Sequence, residues 1–576
     1  MRIFTYGFAC LRIGLCAGFL LTGATSWAQN APGWTLARRL ASGGIDPTRD
    51  GGSADGIRVD ASGNMYVVGD FHGTLDVGGT VLSSPDGYDS YLAKYSPSGT
   101  LLWAKHLNGA NYETVAPAVA LDAGGNAYLT GSFYGSVSVG GITLTDPAYT
   151  PGSTQLNGYV AKFSPTGGLL WAQRLGAVTS SSSGSAGGSG IAVDAVGNVV
   201  LGGWFSGSVT IGTATLTSTL YVDSNGSYPS QDILLAKLDP QGKVLWARQD
   251  GGQGGEGPSD LSVDASNNIY IGGSYDGNAA FGTITLPGTL YKTEGFVAKY
   301  SAAGTPQWAT GMPSAIAGLR ENIVRHLSAD PAGNVSLIGN GEERPPAGPS
   351  NFRSFVARYT AQGALAWSFL SSPSEDNYNV GIVTDVAGNS YLDQAFMGSI
   401  TLAGVTLTGS APTAVNLCVI ALTPQGTPRW SLRNDSGEMG GSGIGLDPSG
   451  QVYIAGVAVG PVQLGSFLLA ANSATYEPFI ARLTSGITAT KSGQVLPALA
   501  VYPNPTDATT TVTLPSQPHA GYVVVRDLTG RLVQQVSFAA AATKARLPLA
   551  GVAAGLYTVQ VVTAAGFSPL ARLVVQ

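Results

Sequence analysis

The chain has 576 residues, a formal net charge of −6 and 44% hydrophobic residues, but only 11% charged ones, where about 25% is usual. Its 81 glycines come with too much apolar content for a disordered chain, and no run of five like charges offers a nucleic-acid-binding tail. No amphipathic pattern long enough for an extended helix is visible, so the composition favours many short strands joined by tight turns.

Residues 1–28 read as a secretory signal. Arg2 and Arg12 precede the apolar run 13–21, and Ser26 and Ala28 supply small residues before a cleavage point between Ala28 and Gln29. Nine residues are too few to cross a bilayer, which takes about 20, and no other stretch qualifies. Removal of the segment takes away Cys10 and Cys16 and leaves Cys418 as a single thiol, with no internal disulfide.

The next 450 or so residues are repetitive. The motif Asp60-Ala61-Ser62-Gly63-Asn64 returns with anchor aspartates at Asp122, Asp194, Asp264, Asp330, Asp385 and Asp447, a spacing of roughly 64 residues. A second pattern follows each anchor, as in Ser96-Pro97-Ser98-Gly99, and then a tryptophan strand, as at Trp103. The Asp-x-x-Gly-Asn and Ser-Pro-x-Gly stretches suit tight turns, because Asp and Pro start turns and Gly or Asn accepts positive φ. Each unit therefore reads as four strands, at 56–60, 64–71, 90–95 and 100–107 in the first. Four-stranded units repeated around an axis make a β-propeller.

Trp103, Trp171, Trp246, Trp308, Trp367 and Trp430 complete six units. The seventh has no tryptophan strand after residue 486, and the missing piece is expected at the other end, in 34–38, with Trp34 closing the last blade and covering two sheet edges. In these motifs the units resemble the SBBP family of seven-bladed propeller repeats, over roughly Trp34 to Gly486, with departures at Ser336, Gln394 and Gln451. The expected fold is all-β: a seven-bladed β-propeller over 29–487 closed by an N-terminal strand, a linker at 488–497, and a small β-sandwich at 498–576.

That last segment opens with Tyr502-Pro503-Asn504-Pro505, turns at Gly530-Arg531, continues through Gly555-Leu556-Tyr557 and ends in a short strand. The ordered set resembles the type A C-terminal sorting domain of the type IX secretion system. The resemblance implies passage through the periplasm, recognition by the outer-membrane machinery, and release or attachment to surface lipopolysaccharide. The expected location is extracellular or on the outer cell surface.

Chemistry is sparse. No nucleophile elbow, zinc-protease helix or EF-hand spacing occurs, and His72, His106, His326 and His519 fall in unrelated contexts. No cofactor, metal site or catalytic set is expected. The anchor aspartates could ligate calcium, although accepting N–H bonds within their own turns is the simpler role. Lys94, Lys162, Lys237, Lys299, Arg358 and Arg482 recur on the third strands and are expected to pair with those aspartates.

Connections after the second and fourth strands share one face and vary in length, and binding residues tend to sit on such loops. Candidate positions there are Tyr112, Glu113, Glu256, Glu375, Asp376 and Tyr378. The reading is a secreted or surface-displayed binding or adhesion module whose ligand is a glycan. The alternative is an extracellular polysaccharide hydrolase or lyase on the same scaffold.

Overall fold

The computed structural model describes residues 32–43, 51–109, 114–147, 149–150, 155–178, 184–223, 226–343, 351–373, 380–470, 476–484, 500–506, 508–514, 521–527, 532–563, 566–567 and 571–576. Among these the one α-helix is Ser314–Ala317, and the architecture is nearly all-β and propeller-like.

Seven four-stranded antiparallel units follow one another. Unit one is Gly56–Val59, Met65–Asp76, Val81–Tyr95 and Leu101–Gly109, and unit two is Thr114–Leu121, Ala127–Tyr134, Leu156–Phe163 and Leu169–Leu175. Unit three is Ser185–Val193, Val199–Ser206, Gln231–Leu238 and Val244–Gly252. Unit four is Gly257–Val263, Ile269–Asp276, Thr293–Tyr300 and Pro306–Gly311. Unit five is Glu321–Ala329, Val335–Glu343, Asn351–Tyr359 and Leu365–Leu370, and unit six is Val380–Thr384, Ser390–Met397, Val415–Leu422 and Pro428–Arg433. Unit seven takes Ser436–Leu446, Val452–Leu464 and Glu477–Leu483 from late in the chain, and Trp34–Arg39 as its fourth strand. The first strands pack side by side from unit to unit, and the seventh packs against the first, closing a ring.

The turn chemistry explains how each unit is tied to the next. Asp60 Oδ1 accepts the N–H groups of Ser62 and Asn64, both at 2.9 Å, and Oδ2 accepts the Asn64 amide at 2.8 Å. The same Asx turn recurs at Asp122, Asp194, Asp264, Asp330 and Asp385. Lys94, Lys162 and Lys237 lie 3.3, 3.8 and 2.8 Å from Asp60, Asp122 and Asp194, and Arg358 pairs with Asp330. The lysine ammonium also reaches forward: Lys94 donates to the Pro165 carbonyl at 3.2 Å, in the Ser-Pro turn of unit two. Trp103 donates its indole N–H to the same oxygen at 3.0 Å, and Trp171, Trp308 and Trp367 repeat that latch at 3.1, 3.1 and 2.9 Å.

The last seam differs. Trp103 is opposite Lys94 and Leu101 is opposite Tyr95, whereas in unit seven Leu36 is opposite Arg482 and Trp34 is opposite Leu483. Leu36 therefore occupies the latch position, and Trp34 sits two residues earlier, buried against the turn at Gly465. Among the described residues Trp103, Trp171, Trp308 and Trp367 make this latch, whereas the indole nitrogens of Trp34 and Trp430 are buried without a hydrogen-bond partner. Leu36→Trp should supply the missing indole N–H to Pro97 and stabilise the ring by about 1 kcal/mol, the net worth of a typical hydrogen bond; calorimetric unfolding would read it, and a lowered midpoint would mean the pocket beside Gly99 is too tight.

The strand count per unit is also larger than expected. Between the second and third strands most units insert a hairpin: Ser136–Val139 with Ile142–Thr145, Ser208–Ile211 with Ala214–Thr217, Ala279–Phe281 with Ile284–Leu286, and Ser399–Leu402 with Val405–Thr408. In unit one the hairpin is continuous with strands two and three. It folds back along the outside edge of the preceding unit, where Val137 pairs with Gly109 and Ala280 with Gly251. Edge strands that would otherwise be open are covered in this way.

Residues 500–576 form a separate core. Ala500–Tyr502, Thr509–Thr513 and Lys544–Pro548 make one sheet, and Gly521–Arg526, Leu532–Phe538, Gly555–Thr563, Gly566–Phe567 and Ala571–Val575 make the other. Val512 and Leu547 of the first share one apolar cluster with Val523, Val525, Val559, Val561 and Leu573 of the second.

Candidate functional site

The seven first strands enclose a cavity of ≈ 660 Å³. Its two ends differ because of where each strand starts and stops. Next to the Asp turns it is lined by Val59, Leu121, Val193, Val263 and Leu446. Five residues before five of the seven anchor aspartates the wall turns polar, with Asp55, Ser189, Ser259, Arg325 and Ser442. Four of these are β-bulge residues: pairing skips Ser189, Ser259, Arg325 and Ser442. A bulge inserts one unpaired residue and re-aims its side chain, here at the mouth on the loop face.

Asp55 accepts the Ser53 hydroxyl at 2.6 Å, and burial pushes its carboxyl up to about 6. His326 Nδ1 lies 3.3 Å from Asp260 Oδ2, and both side chains line the cavity one residue deeper. Arg325 donates Nε–H to Asn340 Oδ1 at 2.9 Å, and burial lowers its pKa. A histidine–aspartate contact, a guanidinium and a carboxyl whose pKa is raised by burial thus line one cavity, an arrangement able to bind a polyhydroxylated or anionic group.

Behind the wall lies Asp393, on the second strand of unit six where unit one has Val68 and unit five Ile338. It is fully buried, neither carboxylate oxygen has a hydrogen-bond partner, and burial raises its pKa to about 7 despite the nearby His326. Room for it comes from two glycines on first strands. A Cβ on Gly381 or Gly441 would fall 2.3 or 2.0 Å from its oxygens.

Of the loop positions singled out in the sequence, Glu256 is described and is enclosed rather than presented to solvent. The segment 251–255 folds over it. Gly252 and Gly254 turn their N–H groups toward its carboxyl without reaching hydrogen-bonding geometry, and burial with Asp232 and Asp276 nearby pushes it up to about 8. Tyr112, Glu113, Glu375, Asp376 and Tyr378 lie outside the described residues, as do Ala28, Gln29, Gly530 and Arg531. Among the described residues no group of three or more His, Cys, Asp or Glu side chains could hold a metal ion.

The structure brings the C-terminal motif residues together. Asn504 Oδ1 accepts the Val574 N–H at 2.8 Å, and Thr506 pairs with Val575. Thr510 donates to the Pro503 carbonyl at 2.7 Å. Tyr502 is exposed, while Tyr557, two residues after Gly555, is buried and donates to the Ala553 carbonyl at 2.7 Å. The opening segment is thus fastened along the final strand. Residues 500–576 match the family model of the secretion system C-terminal sorting domain. They are the address of a type IX secretion cargo. The sorting domain sends the chain to the cell surface or the extracellular space and into the hands of that machinery. No helix among the described residues is long and apolar enough to cross a membrane.

Over 242 residues, 37% of the chain, the sequence is 26% identical to an uncharacterized WD repeat-containing protein of Acanthamoeba polyphaga mimivirus, of whose length it spans 17%. Solved structures that the chain matches include an acylaminoacyl peptidase (TM-score 0.35, 8% identity, 80% of this chain and 57% of that one). Another is the rhamnogalacturonan lyase YesW (TM-score 0.29, 14% identity, 78% and 76%).

The cavity's polar mouth was not anticipated in the sequence. Two signals were present: the basic pair Arg325-His326 stands where the other units carry Asp, Pro, Ser or Val followed by Gly, Ala or Asp, and Asp393 stands where units one and five have Val68 and Ile338.

Proposed function

We propose that the protein is an exported seven-bladed β-propeller of SBBP type that acts as a binding or adhesion module outside the cell, with a glycan as ligand. In this reading 1–28 is a signal peptide cleaved between Ala28 and Gln29. The propeller runs over 29–487 and a linker over 488–497, and a β-sandwich sorting domain over 498–576 is recognised by the type IX machinery, with surface lipopolysaccharide or extracellular polysaccharide as the contact. The observation that carries it is the pairing of a sorting domain with a closed ring of rigid units that holds its irregular connections on one face. A rigid scaffold presenting variable loops is the usual platform for recognition. The matching WD repeat-containing protein is in keeping with the propeller part of the reading.

The test is a glycan array probed with the purified chain, alongside capture from host envelope and polysaccharide. Saturable binding to a defined glycan class is the expected result, and no ligand across a broad panel counts against it. Hydrolysis or elimination on a polysaccharide is the second reading, favoured by Asp55 and the His326–Asp260 pair lining the same cavity, since a carboxyl whose pKa burial raises to about 6 suits general acid work. Turnover that disappears in Asp55→Asn while the fold persists would establish that reading over binding.

A further inference from the structure

Unit three carries a second inserted hairpin, Leu220–Asp223 with Gly226–Pro229, whose two strands pair only with each other. Tyr221 and Tyr228 stand directly opposite one another on it. Its base is fixed: Asp232 accepts the Thr219 N–H at 3.0 Å, the Thr219 hydroxyl at 3.1 Å and the Ser230 hydroxyl at 2.8 Å. From unit four Tyr291 reaches across the seam, its hydroxyl meeting that of Tyr221, with ring centroids 6.5 Å apart and planes at 75°. Tyr291 is 81% exposed and Tyr228 49%.

Two features set this cluster apart from ordinary surface. Tyr291 has φ 66, a conformation that bulky L-residues rarely adopt, and strained backbone collects at sites where it positions a ligand group. The polar surroundings are equally fixed: Lys292 is bound to Glu294 at 2.7 Å and to the Ala317 carbonyl at 3.1 Å, next to the strained tyrosine. Exposed rings beside anchored hydrogen-bonding groups match a pyranose, whose polarised C–H face meets the negative face of an aromatic ring while its hydroxyls meet donors and acceptors at the rim. Tyrosine provides that contact at little cost in side-chain freedom.

We propose that Tyr221, Tyr228 and Tyr291 form a stacking platform for the sugar rings of an extracellular oligosaccharide, across the seam of units three and four. The proposal rests on the glycan-binding reading above and places its ligand on this hairpin. The test is affinity electrophoresis of the full chain through gels containing soluble xylan, pectin, amylose or hydroxyethyl cellulose, with Tyr291→Gly and Tyr228→Ala beside the wild type. Glycine favours positive φ, so Tyr291→Gly removes the ring without disturbing the turn, and a thermal melt checks that the fold is kept. The expected result is retardation of the wild type by at least one polysaccharide and a tenfold or greater loss of affinity in each variant. Undiminished retardation in both variants overturns the platform and leaves the glycan reading standing. A wild type that no polysaccharide retards overturns the glycan reading and the platform with it.

Discussion

At pH 8 the Asp393→Val chain should be more stable than the wild type by about 4 kcal/mol more than it is at pH 4. The carboxyl is fully buried without a hydrogen-bond partner, and its pKa is about 7 against 3.8 when unfolded. Each unit of that difference corresponds to about 1.4 kcal/mol. Between those values the folded chain holds a proton that the unfolded chain has released, so the wild type loses stability as pH rises from about 4 to 7. Valine matches the shape of the residue at the same place in unit one, Val68, and has nothing to ionise. Denaturant unfolding at the two pH values provides the comparison. A stability gap that does not change with pH would mean that Asp393 has found a partner.

Trp34→Ala should destabilise the ring by about 3–5 kcal/mol, the usual cost of truncating a buried tryptophan. Trp34 belongs to the same apolar cluster as Trp430, Leu464, Leu469, Phe479 and Leu483, and so its loss opens a cavity beneath the start of the strand that closes unit seven. The strand is held by more than packing. Gly33 and Thr484 exchange hydrogen bonds at 2.9 and 3.0 Å, and Arg39 pairs with the buried Glu477 at 2.6 Å. An unfolding transition left in place by the substitution would show that ring closure does not depend on this contact.

What could be read from the sequence was what local chemistry determines. Asp60 and its counterparts announce their turns because an Asx turn needs only residues within four positions of one another, and the lysines and tryptophans that reach the next turn repeat at the same spacing. The inserted hairpins repeat as well, in 137–144, 209–216, 279–286 and 462–469. They passed for loops because their partner is the preceding unit, not a neighbour in sequence. The polar mouth was hidden for a related reason: whether Ser189 or Arg325 is a bulge depends on the strand opposite it. Glu256 looked like a surface acid in a glycine-rich loop, and the glycines instead let the backbone fold over it. Leu36, not Trp34, is in register with Trp103, since it pairs with Arg482 as Trp103 pairs with Lys94, a relation that only the partner strand determines.

Pairing of Trp34–Arg39 with Glu477–Leu483 joins segments that leave the ribosome far apart in time. Synthesis runs from the N-terminus, so the first-made strand must wait, unpaired, until nearly the whole repeat region exists, and long-range pairing of this kind is slow to form. The address at 500–576 is made later still. A chain that stops anywhere within the repeats therefore has an open edge and no sorting domain, whereas any chain that carries that domain already contains every strand needed to shut the ring.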